Sequence, residues 1–232
     1  MTAGVVEEIR RKLRDRETRP VEFHGCATTG LPDLDQLLPD GGWRRGAVVE
    51  CLAGDLGDAA VTFTVATMRE LLGKDGALFV MDGLAQCFPL ALSAWGCPLD
   101  RVTVVRPNSP KESLWALEQI LRCRGVDVVF NWQQDRIPPN AYRRLQLAAE
   151  TGGAAAFLFR PDSAMREPSW ASLRLHVEPL AEPTSLRRLR VSRLSGGEAK
   201  KSIVLELDDG AGAVRVVSGL AGRAPDRRTA WA

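Results

Sequence analysis

The sequence predicts an α/β protein: a mostly parallel central sheet with helices on both faces and an antiparallel extension at its C-terminal end. Three observations carry this. Between residues 46 and 160, short apolar runs alternate with helical stretches at the spacing of parallel strands joined by crossovers. Within that region, Gly46 to Val61 has the shape of a buried strand, a glycine-containing loop and the start of a helix. After Arg160 the helical stretches stop, and runs of alternating polarity take over, as in antiparallel strands at the edge of a sheet.

The bulk numbers bound the rest. A chain of 232 residues with 45% hydrophobic content can bury one good core, so one domain with frayed ends is expected. Lys and Arg total 31 against 29 Asp and Glu, a net charge of +2, which excludes nucleic-acid binding by bulk charge and leaves only local contacts. Cys26, Cys51, Cys87, Cys97 and Cys123 form no C-x-x-C pair, and only His24 and His176 could add to a metal site. Reduced thiols in a cytoplasmic protein therefore fit better than zinc or disulfides, and no metal or cofactor is expected. No apolar run has the length of a signal peptide core or a membrane span.

In chain order, residues 5 to 18 predict a short helix whose narrow stripe (Val5, Val6, Ile9, Leu13) must dock on something, its own domain or another protein. Arg19-Pro20-Val21 is an extended link. A helix begins in Thr29–Leu38, and Pro39–Gly46 is a glycine-rich turn before the strand Ala47–Leu52. A helix over Asp58–Leu72 ends at Gly73, and the strand Ala77–Asp82 follows. Pro89–Trp95 is helical, Arg101–Val105 a strand, Lys111–Cys123 a helix and Gly125–Asn131 a central buried strand. Asn140–Thr151 makes a helix and Ala154–Phe159 a fifth strand. Beyond the loop 161–168 come strands at Ala171–Glu178, Leu186–Leu194, Lys200–Leu207 and Ala213–Val217. Leu194-Ser195-Gly196-Gly197-Glu198 lies between two of these and is a hairpin turn, despite its likeness to the signature of ABC transporter ATPases. Asp208-Asp209 before Gly210 is likewise a turn.

"TGLPDLDQLLPDGGWRRGAVVE" resembles the segment of RecA-type recombinases that leads into the strand before the phosphate loop. "ASLRLHVEP" followed by "RRLRVSRLSGGEAKKSIVLEL" resembles the end of the same core, so the likeness runs collinearly over about residues 24 to 208 and implies a RecA-like core. What such an ATPase needs for hydrolysis is missing. After Gly57, where a Lys and a Mg²⁺-binding hydroxyl belong, the chain has Asp58 and Ala59. An acid there repels a phosphate, since like charges about 4 Å apart at an effective dielectric near 20 cost on the order of 4 kcal/mol. The metal acid at the end of the central strand is replaced by Asn131 or Trp132, depending on register, and Gly83 stands where the catalytic Glu would align, beside the surviving Asp82. With no Ser/His or Cys/His arrangement elsewhere, no enzyme is predicted.

A RecA-like domain with a dead phosphate loop, a charged N-terminal helix and the Arg-bearing tail 221–232 resembles the ImuA family, accessory factors of bacterial translesion synthesis. The ending "LELDDGAGAVRVV" is similar to that family's. The resemblance implies binding to ImuB, an inactive Y-family polymerase relative, contact with RecA, and support of an error-prone polymerase at lesions in the damage-induced mutasome. Ile9 and Leu13 at one end, and Arg227, Arg228 and Trp231 at the other, are the candidate partner-binding residues. Arg136, Arg143, Arg144, Arg160 and Arg166 fall near the two short loops that correspond to the DNA loops of RecA, and are the candidates for weak DNA contact. Two alternatives stand beside this: a SulA-type inhibitor of cell division, whose family shares the degenerate fold, and an atypical nucleotide-binding protein.

Overall fold

The computed structural model describes residues 11, 13, 25–54, 58–133, 135–181, 186–195 and 197–222, with the side chains of 58 and 218–222 excepted. In chain order the elements are β1 (Cys26–Ala27), α1 (Pro32–Leu37), β2 (Trp43–Arg44), β3 (Val48–Ala53), α2 (Asp58–Thr67), α3 (Arg69–Leu72), β4 (Leu78–Met81), α4 (Pro89–Ala94) and β5 (Val102–Val105). They continue with α5 (Pro110–Arg122), β6 (Val128–Trp132), α6 (Pro139–Gly152), β7 (Ala155–Pro161), β8 (Leu173–Leu180), β9 (Arg187–Ser195), β10 (Glu198–Asp208) and β11 (Ala213–Gly222). Single 3-10 turns lie at Leu99–Arg101 and Asp162–Arg166.

Nine strands form one sheet in the order β11-β10-β9-β8-β3-β7-β6-β4-β5. From β8 to β5 every neighbour is parallel, and β9, β10 and β11 are added antiparallel. The expected mixed architecture is therefore present, with one refinement. The first of the alternating strands, β8, belongs to both parts, since it pairs parallel with β3 and antiparallel with β9. The short antiparallel pair β1-β2 was not foreseen; its second strand lies inside the stretch 39–46 expected to be only a turn, and its first precedes the expected helix. Gly42 makes it possible, because a Cβ there would stand 2.4 Å from the Ala27 carbonyl oxygen.

Alternation along the parallel strands divides the core into two layers. Val49, Cys51, Val80, Phe130 and Phe157 face α1 to α4, while Val48, Phe79, Val129, Ala156 and Leu158 face α5 and α6. On the first side, Trp43 packs edge-on against Phe63 and Phe157, and its Nε1 donates to the Thr67 carbonyl at 3.0 Å. That bond explains why the helix expected over 58–72 is two helices. Thr64 and Thr67 turn their hydroxyls back onto the Ala60 and Phe63 carbonyls, the helix breaks at Met68, and Trp43 takes up the carbonyl that is freed. On the second side, α6 closes on the C-terminal end of α5. A Cβ at Gly152 would meet the Leu121 carbonyl oxygen at 2.0 Å, so only glycine permits this approach.

The turns behave as their residues require. Ser195 pairs with Glu198 across the β9-β10 hairpin, and Gly197 takes a φ of 82°. Asp208 accepts from the backbone N–H groups of Gly210 and Ala211, which makes an Asx turn before β11. In the antiparallel extension, buried Glu206 receives hydrogen bonds from Arg215 and from Arg188, the latter at 2.9 Å, and these hold its carboxyl below the usual carboxylate range. A lowered folded-state value gives stability that is present above the unfolded value and lost as pH falls through the folded one. The melting temperature should thus drop on acidification below the ordinary carboxylate range, and less steeply in Glu206→Gln; superimposable pH profiles for the two proteins would contradict this.

Candidate functional site

The C-terminal ends of the parallel strands are where an open α/β sheet presents its site. Here β3 ends at Ala53 and α2 begins at Asp58; Gly57, which belongs to the phosphate-loop position, lies outside the described residues, and the side chain of Asp58 is not described. Ala59, at the hydroxyl position, is half-buried and packs against the core. Across the corner stands Asp162, whose Oδ2 would lie 3.6 Å from a Cβ on Gly54 and whose Oδ1 lies 3.1 Å from His176 Nε2. A carboxylate thus borders the loop on a side where phosphate oxygens would need donors.

The register left open between Asn131 and Trp132 is decided by alternation. Val128 and Phe130 belong to the layer beneath α2, and Trp132 packs on that layer with its ring 5.4 Å from Phe159, whereas Val129 belongs to the layer beneath α5 and α6. Trp132 therefore faces the loop helix, and Asn131 faces the other way, toward Ser113 Oγ at 3.4 Å. Neither offers a carboxylate. Asp82 is present, with one oxygen committed to a turn and the other without a hydrogen-bond partner among the described residues. It is buried, its Oδ1 accepts from the Gln86 N–H at 2.6 Å, and Arg106 Nε stands 3.6 Å from its Oδ2. Gly83 is not enforced by space, because a Cβ there would meet Pro107 at an ordinary 3.6 Å.

Between these strand ends opens a cavity of about 200 Å³, lined by Asn108, Ser113, Asn131, Trp132, Gln133 and Asp135 among others. Its polar groups are turned on one another: Asn131 Nδ2 donates to Gln133 Oε1 at 3.1 Å, and Gln133 Nε2 to the Asp135 carbonyl at 2.7 Å. Among the described residues no Lys or Arg lines it, and Asp135 is the acid that does. Such a space accepts a neutral polar group more readily than an anion. Among the described residues, no group of three or more His, Cys, Asp or Glu is placed to hold a metal ion, and no helix is long and apolar enough to cross a membrane.

The strongest electrostatic feature was missed by sequence reasoning. Glu50, in the middle of β3, is fully buried and binds Arg160 Nη1 at 3.0 Å, Arg174 Nε at 2.7 Å and the Tyr142 hydroxyl, which donates at 3.1 Å. Arg160 also holds Glu167 at 2.8 Å, and Arg174 donates to the carbonyls of Ala164, Met165 and Glu167. Burial pushes the Arg160 guanidinium down, but Glu167 and Glu50 outweigh this and raise it, and burial followed by the Glu50 charge raises the Tyr142 phenol. A glutamate inside Val48-Val49-Glu50-Cys51-Leu52 was the available signal, since a charge in a buried strand requires a partner.

This network corrects one expectation. Arg160 cannot serve DNA phosphates, because its side chain is 2% exposed and spent on two carboxylates. Arg144 is exposed but pairs with Glu118 at 3.0 Å, while Arg136, Arg143 and Arg166 are exposed. Of the candidate partner-binding residues, Leu13 is buried in the layer of α5 and α6, and its carbonyl accepts from Cys123 Sγ at 3.6 Å, so this residue docks on its own body. Ile9, Arg227, Arg228 and Trp231 lie outside the described residues.

The sheet order and the strand–loop–helix at its centre define a RecA-like α/β protein. No family model matches the chain. It is 32% identical to the protein ImuA of Caulobacter vibrioides over 137 residues, 56% of each chain. It is also 27% identical over 113 residues to the protein RecA of Leptospira meyeri, covering 49% of this chain and 29% of the relative. With the cell division inhibitor SulA of Klebsiella aerogenes it shares 31% over 83 residues, covering 35% of this chain and 49% of that one. The chain thus spans less than two thirds of the length of each of these relatives. Over part of its length the chain is thus similar to ImuA, RecA and SulA proteins, which includes the likeness to ImuA and RecA that its motifs implied.

The network yields a stability prediction. Glu50→Gln leaves Arg160 buried without half of its counter-charge and should cost about 3–5 kcal/mol in urea denaturation. Glu50→Leu and Arg160→Met combined should cost less than the sum of the two single changes, by at least about 1 kcal/mol. Additive costs would show that the residues do not act as a unit.

Proposed function

We propose that this chain is a non-catalytic, RecA-like accessory protein of the bacterial damage-induced mutasome, which supports error-prone translesion synthesis by binding an ImuB-type inactive Y-family polymerase, with RecA as a second partner. The observation that carries this is the combination of ImuA homology with a nucleotide corner that has lost its chemistry. Trp132 stands on the face of the metal acid, Asp82 anchors a turn, and Asp162 borders the loop. A RecA-like body without a phosphate Lys, a metal acid or a catalytic Glu keeps its surfaces and does not cycle. Its role is then docking, in the cytoplasm, with no cofactor.

DNA contact is a minor part of this function. With Arg160 withdrawn into the interior and Arg144 tied to Glu118, the exposed Arg136, Arg143 and Arg166 provide a small local charge. Binding through phosphates by so few groups must weaken with salt. The relationship to SulA favours a second reading, in which the chain stops FtsZ filament growth.

Co-purification from damaged cells, followed by pull-down with purified ImuB and RecA, tests the proposal. ImuB should be captured, and deletion of residues 1–20 or 221–232 should reduce capture, because Ile9, Arg227, Arg228 and Trp231 lie in those ends. Absence of ImuB, together with reduced FtsZ sedimentation when the chain is added, would replace this function with the SulA-type one.

A further inference from the structure

A second concave surface lies at the opposite end of the strands from the nucleotide corner. It opens between the turn after α3, which leads into β4, and the segment 95–101, which leads from α4 into β5. The space is about 560 Å³. Its floor is apolar: Val65, Met68, Leu72 and Cys97 are all buried. Cys97 adds no charge, because burial pushes its thiol up to about 11.

The walls carry Arg69, Lys74 and Arg101. None of the three forms a salt bridge or side-chain hydrogen bond among the described residues. The acid of the lining, Asp75, is already engaged. Arg69 lies over Gly96, since a Cβ there would stand 3.0 Å from its Nη2, and the φ of +82° at that residue favours glycine. The guanidinium thus lies across bare backbone at the mouth of the groove.

We propose that this groove is a docking site for an acidic peptide segment of a partner protein, with an aliphatic side chain on the floor and carboxylates on Arg69, Lys74 and Arg101. Three cations, against the engaged Asp75 and against Asp100, whose charge reaches Cys97, leave the groove net positive and set the charge complementarity. The floor decides between classes of polyanion. Single-stranded nucleic acid is held by stacking on open aromatic faces, and the aromatic residue here, Trp95, is half-buried and packed against the core, while the floor is aliphatic. The inference does not depend on the identity of the partner proposed above.

The test is fluorescence anisotropy of the full chain with a fluorescein-labelled peptide, Asp-Glu-Leu-Leu-Asp-Glu. Saturable binding is expected, weakened roughly tenfold or more by Arg69→Glu with Lys74→Glu and by raising salt from about 50 to 300 mM. It should be unchanged in Lys201→Glu, on the distant hairpin, and absent for the same peptide with Asn and Gln in place of its acids. A thermal melt checks folding of the variants; Lys74→Ser alone, on an exposed turn, should still weaken binding several-fold. No saturable binding, equal affinity in the charge-reversed variants, or displacement of the peptide by a tighter-binding oligothymidylate at the same residues would each overturn the proposal.

Discussion

The carboxylate of Glu50 is the constraint on which much of the molecule depends. A charge at the centre of a nine-stranded sheet is tolerable only when it is matched and hydrogen-bonded, and the matching residues come from β7, β8 and α6. Because β3 pairs with both β7 and β8, the two arginines reach the same acid from either side of one strand. Each also reaches the segment between those strands: Glu167 through Arg160, and three backbone carbonyls through Arg174. The connection from β7 to β8 is thereby tied to the core.

That tie has a functional side. The connection is short and clamped from within, and Arg160 at its start faces inward. The same segment carries Asp162 to the edge of the phosphate-loop corner. The corner beside Gly54 and the clamped connection are therefore linked through one piece of chain. At the strand ends the body has a small polar cavity that carries an acid, and at the other end of the strands a cationic groove.

Much of this was legible in the sequence because it rests on local patterns. The alternation of apolar runs and helices gave the parallel sheet, and the switch to alternating polarity after Arg160 gave the extension. The hairpin between Ser195 and Glu198 and the Asx turn at Asp208 follow from residue chemistry alone. What stayed hidden depends on contacts between distant residues. The break at Met68 answers to Trp43, 25 positions earlier, and the β1-β2 pair is set by a close approach at Gly42. Arg160 looked like a surface cation because its partner, Glu50, is 110 residues away. The choice between Asn131 and Trp132 likewise required knowing which face α2 covers.

The central claim is that the architecture of a nucleotide-driven protein persists here without its phosphate chemistry. A thermal melt of the full chain with ATP and Mg²⁺ tests it most directly. No change in melting temperature is predicted at any nucleotide concentration. A site that binds would add about 2.7 kcal/mol at 100 times its dissociation constant, a rise of roughly 5–10 °C for a chain of this size, and such a rise would contradict the account.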